Sequence, residues 1–253
     1  MGAQKKPDFV VAADSGLESL RSWQAHYEAL GFDFSPDAIL GDFDSLGEKK
    51  ILDEYDESLV ERSTPHKDLT DTEMALFKAL SLAQAKEKPR RFFLRFSRAP
   101  QVKEITNEKA KSARGGRPII ALIGGGGTKR ADHFLGIYNL FGTKIAPDAW
   151  LCGEQVFYRA ERSSFSISGL KEGDIISVAR TAQKNRGGKI RSQGLEWESP
   201  LFRKVGMPSI SNTIKKEWAR QGLPVKIEFL RGSFVLIAPL SASVLLDERS
   251  KGK

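Results

Sequence analysis

Hydrophobic and polar positions follow two rhythms along this chain, one in each half. Phe9-Val10-Val11-Ala12-Ala13 is a short apolar run that stops at Asp14-Ser15-Gly16. That is the pattern of a buried strand followed by a turn. Leu17, Leu20 and Trp23 then recur at helical spacing, and Ala38-Ile39-Leu40 predicts a second strand, again ending in Gly and Asp. From Thr70 the period is helical: Met74, Phe77 and Ser81 share one side, with Ala75, Ala79 and Leu82 beside them. Thr70 and Glu73 stand in the Ser/Thr-x-x-Glu relation of a capping box, which starts that helix. Ile119 to Ile123 is the clearest strand of this half. It runs through the glycines Gly124 to Gly127 into a helix bearing Phe134, Ile137, Tyr138 and Phe141. Strands alternating with helices predict a parallel sheet covered on both faces.

After about Pro147 the rhythm changes. Short β-rich segments (Val156-Phe157-Tyr158, Phe165-Ser166-Ile167, Ile175 to Val178) are separated by Gly, Ser and Asp. Val225 to Phe229 alternates with period two, and Ser233 to Ala238 follows after Arg231-Gly232, a hairpin signal. The expected fold class is therefore α/β plus all-β. An N-terminal parallel α/β sheet domain (1–147) precedes a C-terminal β-sandwich or barrel (148–253).

A length of 253 residues suits one large domain or two small ones and is enough to bury a core. The longest uncharged stretch, Gly232 to Leu246, contains Pro239 and is shorter than the roughly 18–20 apolar residues of a membrane span. The first residues lack the apolar core of a signal peptide. Cys152 is the only cysteine, which excludes an intrachain disulfide and a multi-cysteine zinc site and suggests a reducing, cytoplasmic setting. The formal charge of +8 changes the picture less than it first suggests. Lys86 to Arg117 holds five Lys and six Arg against three Glu, which accounts for the whole excess. A basic insertion near 86–117 is expected on an otherwise balanced body.

The candidate chemistry lies where strands end. Asp14 follows the first strand, and Asp42 and Asp44 follow the second in Gly41-Asp42-Phe43-Asp44-Ser45. Asp68 and Asp71 open the Thr70 helix in Lys67-Asp68-Leu69-Thr70-Asp71, and Asp132 opens the next in Arg130-Ala131-Asp132-His133. Open α/β sheets bind ligands beyond the carboxyl ends of their strands. Carboxylates gathered there repel unless a cation lies between them, and hard oxygen ligands suit Mg²⁺ shared with substrate phosphates. Each signal also has a plainer reading. An Asp after a strand serves as a turn former or N-cap, the glycine run as a simple turn, and His133 as a structural hydrogen-bonding residue.

In order, Ala13-Asp14-Ser15-Gly16, Gly41-Asp42-Phe43-Asp44-Ser45, Lys67-Asp68-Leu69-Thr70-Asp71 and Arg130-Ala131-Asp132-His133 resemble the motifs of thiamine pyrophosphokinase. Gly194-Leu195-Glu196-Trp197 is similar to that family's Gly-Leu-Lys-Trp segment, and Ser209-Ile210-Ser211-Asn212 to its Ser-x-Ser-Asn. The resemblance spans Val10 to Ala238. It implies transfer of the terminal pyrophosphoryl group of ATP to the hydroxyethyl oxygen of thiamine, giving thiamine diphosphate and AMP, by a homodimer using Mg²⁺. It further implies that Asp42, Asp44 and Asp71 hold Mg²⁺ and the triphosphate. Arg130 and Asp132 would line the nucleotide and acceptor site. Asp14, Ser45, Lys67, Asp68, Thr70, Gly126 and Lys129 would contact cofactor or phosphate. Ser209, Ser211 and Asn212 would reach thiamine from the partner subunit, beside Trp197, whose ring can attract the thiazolium cation by about 0.5–2 kcal/mol.

The chain departs from the family pattern in four places. Few residues precede Phe9, where the family has a further strand. Ser15 and the pair Thr128-Lys129 stand where the family has glycines. The segment before Ile119 is longer by roughly twenty residues, and it is the basic one. Alternatives are a diphosphokinase with another primary-alcohol acceptor, such as a pterin alcohol, and an impaired homologue. The latter would bind nucleic acid through Arg90, Arg91, Arg95 and Arg98 interleaved with Phe92, Phe93 and Phe96. An Asp-x-Asp phosphatase is disfavoured, because Ser45-Leu46 follow Asp44 where that chemistry wants Thr or Val.

Overall fold

The structure, a computed structural model, describes residues 7–28, 34–64, 68–86, 118–126, 130–181, 188–198 and 207–248. Lys67, Lys129 and the basic insertion from residue 87 onward lie outside the described residues. The chain divides into two compact units, Met1–Ile119 and Ile120–Lys253.

The first unit is built on β1 (Val11–Ala13), β2 (Ala38–Gly41) and β3 (Val60–Arg62), a parallel sheet in that order. Strand β2 is buried along its whole length, as expected for the centre of a parallel sheet. Helices α1 (Gly16–Glu28) and α2 (Asp71–Lys86) pack on β1. Leu17 and Leu20 of α1 enter a core with Ala12, Ile39, Phe43, Leu46, Ile51 and Leu52. The capping box forms as the sequence predicts. Glu73 Oε2 accepts from the Thr70 N–H (2.8 Å) and hydroxyl (2.9 Å), and the Glu73 N–H donates to Thr70 Oγ1 (3.3 Å).

The second unit holds β4 (Ala121–Ile123), α3 (Ala131–Leu140), β5 (Ala149–Cys152), β6 (Gln155–Glu161), β7 (Ser163–Ser168), β8 (Ile175–Arg180) and β9 (Lys189–Gln193). There follow β10 (Ser209–Thr213), the short α4 (Lys216–Arg220), β11 (Val225–Arg231), β12 (Ser233–Pro239) and β13 (Ser243–Glu248). They make a six-stranded mixed sheet, order β10-β8-β12-β6-β5-β4, and a four-stranded antiparallel sheet, order β13-β7-β11-β9. Phe165, Ile167, Ile227 and Phe229 from the smaller sheet share one buried cluster with Ile176, Val178, Phe234 and Leu236 from the larger. Both sheets are open, so the barrel alternative does not hold.

Three expectations change. Strand β4 does not complete the N-terminal parallel sheet. It pairs parallel with β5, within the second compact unit. The cause is local. The Ile120 N–H donates to Asp148 Oδ2 (2.9 Å), and the Trp150 indole N–H donates to the Gly124 carbonyl (2.7 Å). Ile137 of α3 and Phe141, the residue just after it, pack on Trp150, Phe157 and Val235. Second, the strand is three residues long, and Ile119 is exposed. Third, β11 and β12 are not a hairpin. One residue, Gly232, separates them, too few for the two-residue turn that pairs adjacent strands. At φ +98° it turns a corner between the sheets, and Arg162 at φ +47° does the same between β6 and β7. Phe229 and Phe234 meet across that corner with ring centroids 5.5 Å apart.

Candidate active site

In the first unit the chain turns sharply after β1. Asp14 takes φ +48°, its N–H donates to the Leu40 carbonyl (2.8 Å), and its own carbonyl accepts from the Leu17 N–H (3.0 Å). These bonds lock its side chain at the strand end. Gly41 closes β2 at φ +154°, where a Cβ would lie 3.3 Å from the Asp14 N, Cα and Cβ atoms. Only glycine lets the two strand ends approach so closely. Phe43, at φ +58° and 3% exposed, plugs the core beneath the loop, with the Arg62 guanidinium 5.5 Å from its ring centroid. The loop therefore has a fixed floor and presents Asp42 upward. The Asp44 N–H donates to Asp42 Oδ1 at 3.3 Å.

One carboxylate oxygen from each of Asp14, Asp42 and Asp71 lies within 4.8 Å of the other two. Asp71 reaches this point as the first residue of α2, fixed by the Thr70–Glu73 cap. Asp14 Oδ1 is buried with no hydrogen-bond partner among the described residues, while its Oδ2 accepts from the Ser45 hydroxyl. Burial, then the charges of Asp71, Asp44 and Asp42, push the Asp14 carboxyl above its ordinary pKa, against the lowering effect of Ser45.

This donor set fits a small hard divalent cation. Metal–oxygen bonds of 2.0–2.1 Å put octahedral ligand oxygens about 2.9 Å apart in cis and about 4.2 Å in trans. The trio needs little closing to match, and the orphaned Asp14 oxygen lacks a ligand of this kind. The expected set was Asp42, Asp44 and Asp71. The structure brings Asp14 into the trio and leaves Asp44 near enough for its charge to act on Asp14 but outside the group. Asp68 sits in an exposed bend, and the Thr70 hydroxyl and N–H serve the helix cap.

In the second unit Gly126 is buried and its carbonyl accepts from the Cys152 thiol (3.1 Å). Arg130, the residue before α3, forms a two-point ion pair with Asp132: Nε–Oδ1 3.0 Å and Nη2–Oδ2 2.7 Å, both side chains 64% exposed. The Arg130 hydrogen bonds hold the Asp132 carboxyl well below the usual carboxylate range and raise the guanidinium. Asp132 is thus a poor proton acceptor and a good orienter of Arg130. The pair uses two of the five guanidinium donors.

Trp197 is 60% exposed and lines a cavity of about 510 Å³ with Glu172, Glu196, Ile214 and Lys215. Ser209 and Asn212 are buried at 7% and 1% exposure. Asn212 Oδ1 accepts from the Trp197 N–H (3.1 Å), and its Nδ2 donates to the Trp197 carbonyl (2.9 Å) and to Ser209 Oγ (3.1 Å). Ser211, exposed at φ +55°, lies in the bulge where β10 slips against β8, and its N–H donates to Ser177 Oγ (3.3 Å). Composition and spacing carried no signal that Asn212 faces inward; only the bulge explains it.

Residues 3–148 match the family model described as "Thiamin pyrophosphokinase, catalytic domain". No curated protein matches the chain in sequence. Among solved structures, the thiamin pyrophosphokinase of Candida albicans superposes with a TM-score of 0.63 at 16% identity, covering 92% of this chain and 82% of that one. The Bacillus subtilis enzyme gives 0.59 at 18% identity, covering 94% and 90%. The yeast enzyme gives 0.55 at 15%, covering 92% and 79%. At these identities the likeness is one of fold.

Proposed function

This chain belongs to the thiamin pyrophosphokinase family, and from that membership we propose that it transfers the pyrophosphoryl group of ATP to the hydroxyethyl oxygen of thiamine. The products are thiamine diphosphate and AMP. The single observation that carries the reading is the convergence of Asp14, Asp42 and Asp71, with one Asp14 oxygen buried and unpartnered among the described residues. In the reaction the hydroxyl oxygen forms a bond to the β-phosphorus of ATP. The bond from that phosphorus to the α–β bridging oxygen breaks, AMP leaves with the bridging oxygen, and the hydroxyl proton is released.

Such transfers depend mainly on positioning and charge neutralisation. Asp14, Asp42 and Asp71 would hold a divalent cation, Mg²⁺ in this proposal, with Asp44 adding negative charge beside them. When bound, that cation supplies neutralisation of the triphosphate. Ser45 turns Asp14 into the group by its hydrogen bond. Arg130, oriented by Asp132, offers a planar cation suited to phosphate oxygens. Trp197 offers an exposed aromatic face to the thiazolium ring. Lys67, Lys129, Ser209 and Ser211 keep the supporting roles that the family resemblance implies. Residues 1–147 are read as the ATP- and metal-binding domain. Residues 148–253 are read as a β-sandwich that binds thiamine and forms a homodimer, the enzyme working in a reducing cytoplasm. No helix among the described residues is long and apolar enough to cross a membrane.

The test is AMP release from Mg·ATP by the purified protein, with and without thiamine. Thiamine-dependent AMP is expected. A panel of primary alcohols that includes a pterin alcohol separates acceptors, and AMP release that ignores thiamine but follows another alcohol would replace this reading.

A further inference from the structure

Asn212 has the type and position of a ligand-contacting side chain in the Ser-x-Ser-Asn segment, yet it is 1% exposed and both ends of its carboxamide are engaged by the protein. The engagement has a pattern. A short antiparallel contact joins the 195–197 segment to the end of β10: Leu195 bridges Ile214, and the Glu196 N–H donates to the Thr213 carbonyl at 2.8 Å. In that register Trp197 lies opposite Asn212 at a non-hydrogen-bonded position, so the main chain of β10 offers the Trp197 polar atoms no ladder bond. The Asn212 main chain pairs with Ile176 of β8 beyond the bulge. The Asn212 side chain bonds the Trp197 main chain instead. Its amide oxygen receives the Trp197 N–H and its amide nitrogen gives to the Trp197 carbonyl, so one planar group meets both main-chain polar atoms of a single residue. Ser209 Oγ accepts the remaining Nδ2 proton and fixes the carboxamide plane.

The flanks of Trp197 are held as well. The Trp218 ring lies over Gly194, where a Cβ would come within 2.5 Å of the indole, and Leu195 is fully buried. Glu198 accepts from the Gly194 N–H and pairs with Lys215 Nζ at 3.1 Å. A five-residue loop is thus pinned at each end and in the middle, while the Trp197 indole remains 60% exposed. An exposed indole on an immobilised backbone is a contact surface with its ordering cost already met.

We propose that Asn212 is a positioning residue that acts on the acceptor only through Trp197, because its carboxamide bonds both main-chain polar atoms of that residue. This rests on the reading of Trp197 as an acceptor contact in thiamine pyrophosphoryl transfer. Loss of the carboxamide frees the Trp197 backbone, so the KM for thiamine rises by about tenfold or more, whereas the KM for ATP and kcat change by less than about threefold.

The experiment uses the full chain labelled with 5-fluorotryptophan, the Trp197 resonance being assigned with Trp197→Phe. Asn212→Ala removes the carboxamide. Asn212→Asp keeps the volume and one acceptor but loses both donors, and serves if the first variant folds poorly. The resonance of Trp150, which is fully buried, reports that the core is intact. The expected result is a shifted or broadened Trp197 signal with Trp150 unchanged, the stated rise in thiamine KM, and no further rise when Asn212→Ala is added to Trp197→Ala. An unmoved Trp197 signal in both variants overturns the proposal whatever the enzyme acts on. Additive effects of Asn212→Ala and Trp197→Ala also overturn it, because Asn212 would then touch the acceptor directly. If the unmutated protein makes no thiamine-dependent AMP, the functional reading fails instead, and the fluorine signals alone judge the Asn212–Trp197 link.

Discussion

Asp14 carries the sharpest conflict in the molecule at the residue scale. A carboxylate with one oxygen buried and unpartnered among the described residues, facing three other acids, is unfavourable by itself and favourable once a cation is present. Asn tolerates the left-handed φ of this position, so Asp14→Asn removes charge without backbone strain. The expected outcome in calorimetry is a metal-free melting temperature no lower than that of the parent, together with loss of the stabilisation that Mg²⁺ gives the parent. Asp42→Asn and Asp71→Asn are expected to lower turnover by about 10²–10³-fold or more with the fold retained, as read by AMP release and circular dichroism. Asp44→Asn, outside the trio, should lose less. Equal losses in all four variants would show that Asp44 binds as directly as Asp14. The sequence marked all four acids, because each follows a strand or opens a helix. It could not rank them, since the ranking depends on the φ of one turn and on how near Gly41 allows β2 to come.

The same dependence on local geometry governs whole elements. The Thr70–Glu73 cap was legible from four residues because its bonds are local, and it does more than start α2. It sets the position of Asp71, the first helical residue. Glu73→Ala should therefore cost about 1 kcal/mol of stability, seen as a lower urea midpoint, and should also weaken Mg²⁺ binding by calorimetric titration. A stability loss with unchanged Mg²⁺ affinity would separate the cap from the site. Strands β1, β2, β4, β6, β7, β8, β11 and β12 were readable from their apolar runs, whereas β3, β5, β9, β10 and β13 were not read from the sequence. The pairing partners of the readable strands were not legible. β11 and β12 read as a hairpin because adjacent strands usually pair, but a one-residue corner sends them to different sheets. β4 read as a member of the first sheet because it follows a helix, whereas Asp148 and Trp150 tie it to β5.

For the whole molecule the acidic trio links stability to pH. The raised Asp14 pKa means the folded state prefers this group protonated. Its contribution is present below the unfolded carboxylate value of about 3.9 and is lost as the pH rises through the raised folded value. A bound divalent cation favours the ionised form. The gain in melting temperature on adding Mg²⁺ should thus grow from pH 4 to pH 8, and a gain independent of pH would contradict the assignment of Asp14 as a ligand. The net charge of +8 stands apart from this chemistry, since it belongs to the 86–117 segment.

The amino-acid order by itself determined many of the elements, the helix cap, the strand-end acids and the family resemblance, because each is written in residues close together in the chain. Only the folded structure decided that Asp14 joins Asp42 and Asp71, that β4 leaves the first sheet, and that Asn212 turns inward to hold Trp197. Those choices depend on contacts between segments tens of residues apart, where hydrogen-bond partners compete and packing selects among them.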